Sequence, residues 1–110
     1  MDLSIPPGPM GLKELLRGLM KRYANEDWDV SNFIAWVGNK LPAYLWTRCN
    51  WKSTLIREGW TWQSFLKFLS RRTDDIIKWV NDELTWSQLI SKILEDLRSP
   101  TIRMIYLGRR

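Results

Sequence analysis

The sequence predicts an all-α protein, a single compact bundle of five or six short helices, and three observations lead there. Apolar residues recur at three- and four-residue spacing in five separate windows. Most of those windows open on a Ser, Thr or Asp that can cap a helix. No window alternates apolar and polar residues long enough for a sheet, and no internal repeat is present. A length of 110 residues fits one domain.

Residues 1–11 hold three of the five prolines together with Gly8 and Gly11, which predicts a flexible, extended arm that is ordered only where something packs on it. The bundle is expected over 12–98. Leu12, Leu15, Leu16, Leu19 and Tyr23 give a first helix over 12–23, with Lys13, Arg17 and Lys21 along another face. Asp29 caps a second helix over 30–41, in which Val30, Phe33, Ile34, Val37 and Leu41 share a face and Pro42 ends the run. Between Pro42 and Glu58 no single stripe fits, so two short helices with a turn near Asn50 are expected, the second closed by Gly59. Thr61 caps a helix over 61–71 carrying Trp62, Phe65, Leu66 and Leu69. Thr73 caps the next, with Asp74 and Asp75 favourably placed at its start and Ile76, Ile77, Val80 and Leu84 on its apolar face. Thr85 and Gln88 make a capping box for the last, which carries Leu89, Ile90, Ile93, Leu94 and Leu97 and stops before Ser99-Pro100. Residues 99–110 are a basic tail, irregular or helical. The expected core includes Leu16, Phe33, Ile34, Leu66, Ile77, Leu89 and Ile93.

Composition narrows the function. Eight Trp stand beside no His, so the commonest general base and zinc ligand are missing. The adjacent carboxylates, such as Asp74 with Asp75 or Glu95 with Asp96, point about 100° apart on a helix and read as caps and solvated surface. Cys49 has no imidazole to activate it and reads as a small apolar residue. No glycine-rich phosphate loop or metal-ligand spacing is present. These absences argue for a non-catalytic protein without a cofactor or metal.

A net charge of +5 favours acidic partners, but its distribution is uneven. Asp74, Asp75, Asp82, Glu83, Glu95 and Asp96 outweigh Lys78 and Lys92 in one stretch, and Arg98, Arg103, Arg109 and Arg110 reverse the sign after it. That alternation suits a protein-binding module better than a uniform nucleic-acid footprint. Lys13, Arg17, Lys21, Arg22 and Arg71 form the basic set that would meet phosphates or anionic lipid. No apolar run reaches membrane-spanning length, and the first residues lack signal-peptide character and a glycine for myristoylation, so a soluble, intracellular protein is expected. Most of Trp28, Trp36, Trp46, Trp51, Trp60, Trp62, Trp79 and Trp86 read as core. Trp36 and Trp79 lie off the main stripes of their helices and are expected to leave indole surface exposed for a partner.

Leu55-Ile56-Arg57-Glu58-Gly59-Trp60-Thr61-Trp62, followed by Phe65-Leu66-Lys67-Phe68-Leu69, resembles the first homology region of the Bcl-2 family. The stretch from Asp74 to Leu84 is similar to a later helix of that family, and Lys21-Arg22-Tyr23 resembles a basic-aromatic triplet upstream. Ser64 stands where the family carries the Arg that pairs with its ligand's Asp. The resemblance implies a viral-type regulator of apoptosis that binds amphipathic partner helices in a groove, here near Leu55, Gly59, Trp62, Phe65, Phe68 and Trp79. A second resemblance is to retroviral matrix domains. It rests on Asp27-Trp28-Asp29, on Leu41-Pro42-Ala43-Tyr44-Leu45-Trp46, and on Thr85-Trp86-Ser87-Gln88-Leu89-Ile90. It implies docking on an anionic membrane surface or nucleic acid through the basic set.

Overall fold

A computed structural model describes residues 3–9, 11–22, 40–48 and 51–108. Seven helices and no strands occur among them: α1 (Leu12–Arg22), α2 (Lys40–Arg48), α3 (Trp51–Arg57), α4 (Trp62–Ser70), α5 (Thr73–Val80), α6 (Trp86–Arg98) and α7 (Pro100–Leu107). The all-α class is as expected. The helix expected over 30–41 lies outside the described residues as far as position 39, as do Cys49 and Asn50, so Trp28, Phe33, Ile34 and Trp36 have no described position.

Local chemistry accounts for most of the helix ends. Thr61 and Thr85 each accept from the backbone N–H three residues on, and the side chains of Ser64 and Gln88 return the bond to the cap N–H. These are two complete capping boxes, each satisfying two donors that a helix start otherwise strands. Gly59 closes α3 at φ +102°, with Gly59 N–H bonded to Ile56 O and Trp60 N–H to Leu55 O. That is a Schellman closure, and the left-handed residue is a glycine as its φ requires. Ser99 caps both ends of a joint, ending α6 and starting α7 with Pro100 at its first position.

Two boundaries differ from expectation. Pro42 does not end a helix but sits in the first turn of α2, where its missing N–H strands nothing. Thr73 is not a cap but the first residue of α5. Its hydroxyl is buried and donates to Ser70 O at 2.7 Å, relieving a carbonyl at the end of α4.

The core joins all seven helices. Leu16, Leu45, Leu55, Phe65, Val80, Leu89, Ile90, Ile93 and Leu97 are wholly inaccessible. α1 packs on α5, α5 on α6, α6 on α7, α7 on α4, α4 on α2 and α2 on α3. On α4 and α5 the buried arc is centred differently from the expected stripe. Phe68 and Trp79 are buried while Leu66 and Ile77 are only half-buried. In each helix the aromatic at one edge of the apolar arc displaces the aliphatic at the other, since a large ring removes more surface from water. On α1, Leu12 and Leu16 are buried but Leu15 is exposed.

The described residues of the arm and of the tail also pack. Leu3 and Pro6 of the arm are buried. In α7, Tyr106 stacks on Trp60 with ring centroids 6.1 Å apart and meets Phe68 edge-on at 5.7 Å, while Arg103 pairs with Glu58. The described arm and tail thus contribute to the bundle that the sequence confines to 12–98.

Candidate functional site

The residues expected to line a helix-binding groove are mostly inside the protein. Leu55, Phe65, Phe68 and Trp79 are buried core residues. Trp62 is half-buried and packs edge-on against Trp46 at 5.9 Å. Gly59 is a helix closure. A ligand helix placed there would have to displace core side chains, so these six residues do not form an open groove. Trp79, expected to keep indole surface exposed, instead packs on Trp86 at 5.2 Å.

The basic set is also partly committed. Lys13 and Arg17, one helical turn apart on α1, both reach the carboxylate of Asp82, Arg17 at 2.9 Å. Arg17 further donates to Val80 O at 2.8 Å. Asp82 follows the end of α5 with φ +62°, and its N–H bonds to Trp79 O while Glu83 N–H bonds to Lys78 O. This is the same closure as at Gly59, with an aspartate in the position where glycine is easiest. The hydrogen bond from Lys13 holds the Asp82 carboxyl below the ordinary aspartate range, assisted by the charges of Lys13 and Arg17. Lys21 is exposed on α1, and Arg71 lies on α4's C-terminal cap with its guanidinium 6.0 Å from the Tyr106 ring centroid. The side chain of Arg22 lies outside the described residues. Lys13 and Arg17 therefore join α1 to α5 instead of standing clear for a ligand.

What the fold does assemble is a row of aromatic donors from three helices. Tyr44 comes from the middle of α2, Trp51 from the first residue of α3 and Trp86 from the first residue of α6. Trp51 Nε1–H donates to Ser4 O at 3.1 Å, Trp86 Nε1–H to Pro6 O at 2.6 Å, and the Tyr44 hydroxyl to Pro7 O at 2.5 Å. Tyr44 lies edge-on to Trp86 with ring centroids 6.1 Å apart. A Cβ added at Gly8 would lie 3.7 Å from the Trp86 indole, so the arm runs across the face of that ring. Beyond it, a cleft of about 870 Å³ opens between the arm, α1 and α2, lined by Pro9, Leu12, Leu15, Ala43, Tyr44 and Thr47 among others.

The sequence did not single out Tyr44 or the arm as partners. One signal was available: a segment rich in proline carries carbonyls with few N–H groups, and indole and phenol donors are its natural complement. Among the described residues no group of three or more His, Cys, Asp or Glu is placed to hold a metal, and no helix is long and apolar enough to cross a membrane. No protein-family model, curated protein or solved structure matches the chain.

Proposed function

We propose that the protein is a non-catalytic interaction module that binds a peptide segment of another protein at the Tyr44–Trp51–Trp86 groove. The observation that carries this reading is the set of three aromatic donors spent on the main-chain carbonyls of Ser4, Pro6 and Pro7. Aromatic residues with one polar atom and a large apolar face are the side chains on which protein recognition most often turns. If the ligand proves to be a death-promoting amphipathic segment, the Bcl-2-like resemblance extends to apoptosis regulation.

The matrix-like alternative, docking on anionic lipid or nucleic acid through Lys13, Arg17, Lys21, Arg22 and Arg71, draws less support. Asp82 already engages two of those cations, and Arg71 lies over Tyr106.

Panning a random peptide display library against the full chain in about 0.5 M salt, where exposed charge pairs are screened, separates the two. A consensus peptide that is recovered from the wild type and lost from Trp86→Phe with Tyr44→Phe is the expected result. No enriched peptide, together with salt-sensitive binding of anionic vesicles or nucleic acid that ignores those substitutions, overturns the proposal.

A further inference from the structure

The arm that fills the groove also describes its ligand. Ile5-Pro6-Pro7-Gly8-Pro9 has φ fixed at each proline, and each residue before a proline is biased to extended backbone. Such a segment is close to a polyproline helix, whose carbonyls point outward and make no internal bonds. At positions 6, 7 and 9 there is no backbone N–H at all. The groove answers with donors only: two indoles and a phenol, each aimed at a main-chain carbonyl.

These three bonds read only the arm's backbone, while Leu3 and Pro6 add buried side chains, so a competing segment needs the same extended backbone with apolar residues at those two places. The tethering is also incomplete. Tyr44 and Trp86 remain half-exposed with the arm in place, and Ile5 is 44% exposed. Trp51 lies buried beneath the arm, and the cleft lined by Leu15 also borders Pro9 and Tyr44.

We infer that the Tyr44–Trp51–Trp86 groove is a site for proline-rich, extended segments of other proteins, and that residues 3–9 occupy it as a competing internal ligand. This rests on the peptide-binding reading above and names both the chemistry of the ligand and the means of regulation. A tethered segment acts at an effective concentration in the millimolar range, so a free segment of the same sequence displaces it poorly. A second copy of this chain offers that same segment and gains no advantage over the tethered one. The occupant is therefore a different protein whose proline-rich segment fits better or extends into the cleft. The arm sets the threshold such a partner must exceed, because apparent affinity falls in proportion to the fraction of molecules with the groove free.

The test uses full-length protein and a synthetic peptide with the sequence of residues 3–9. Leu3→Ser combined with Pro6→Ala loosens the arm by removing its two buried side chains, and binding is read from the indole N–H resonances of Trp51 and Trp86. The loosened chain is expected to bind the peptide saturably and at least about tenfold more tightly than wild type, with Trp86→Phe in the same background weakening it. A loosened, folded chain whose indole signals ignore the peptide at about 1 mM overturns the inference. Should the loosened chain fail to fold, a spin-labelled copy of the peptide is added to the wild type. Because the tethered arm competes there, the same titration is run on the Pro6→Ala chain, in which only one buried arm side chain is shortened. Broadening of those two indole signals that is stronger than in wild type supports the site, and signals unchanged in the Pro6→Ala chain overturn it. A library consensus without proline, beside a peptide of residues 3–9 that does not bind, sinks this inference and leaves the interaction-module reading standing.

Discussion

Asp82 breaks a local rule with a visible compensation. Glycine is the easiest residue at a left-handed helix closure, as at Gly59, but glycine there would remove the carboxylate that Lys13 and Arg17 share and leave Arg17 with Val80 O alone. The carboxylate titrates below the ordinary aspartate value, so its contribution to stability is present above that value and lost as pH falls through the folded-state value. Asp82→Asn, which tolerates the same backbone conformation, is expected to lower the urea midpoint at neutral pH. The gap from wild type should close in acid, and a gap that persists unchanged in acid would mean the charge is not responsible. At Gly59 the argument concerns the backbone alone. Gly59→Ala must carry a Cβ at φ +102° and is expected to cost about 1–2 kcal/mol in equilibrium unfolding, without changing the binding of any ligand at the aromatic groove.

At the scale of elements, a helix was legible in the sequence wherever its start had a cap and its stripe was unambiguous. α6 is the clearest case, since Thr85 and Gln88 mark its start and all five expected apolar residues are buried. α4 and α5 were legible as helices but not in register. Phe68 and Trp79 each sit at one edge of an arc whose other edge holds Leu66 or Ile77, and periodicity cannot choose between edges 160° apart. Ring size decided, and that same choice removed both aromatics from the groove the resemblance had suggested. Pro42 misled because a proline ends a helix from its interior but is harmless in its first turn. The candidate site was not legible, because its parts lie far apart in sequence: Trp86 is 80 positions from Pro6, and Trp51 is 47 from Ser4. Only packing brings those pairs together. Tail residues 100–107 form a helix because Pro100 restarts the chain after Ser99 and Tyr106 finds Trp60 and Phe68 to lie against.

For the whole molecule, stability rests on aromatic mass and on α6, the longest helix among those described. Leu89 and Ile93 are both wholly buried on α6, one turn apart. Truncating either to Ala is expected to cost about 2–5 kcal/mol in chemical denaturation, a large part of what a domain of this size possesses. A cost below about 1 kcal/mol would mean that α6 is not the centre of the core. The charged surface adds little by comparison, since pairs with one solvent-exposed partner, such as Lys92 with Asp75 at 3.7 Å, are weak individually. The arm crosses residues from α2, α3 and α6, so its bonds test the packing of three helices and the proposed site together. The most direct measurement is hydrogen exchange of the indole N–H groups, assigned by single Trp→Phe substitutions. The packing of the arm on these helices predicts that Trp51 and Trp86 are protected, show nuclear Overhauser contacts to residues 4–8, and lose both when the arm is loosened by Leu3→Ser. Trp51 and Trp86 indoles that exchange at the rate of free tryptophan, with no contact to the arm, would contradict it.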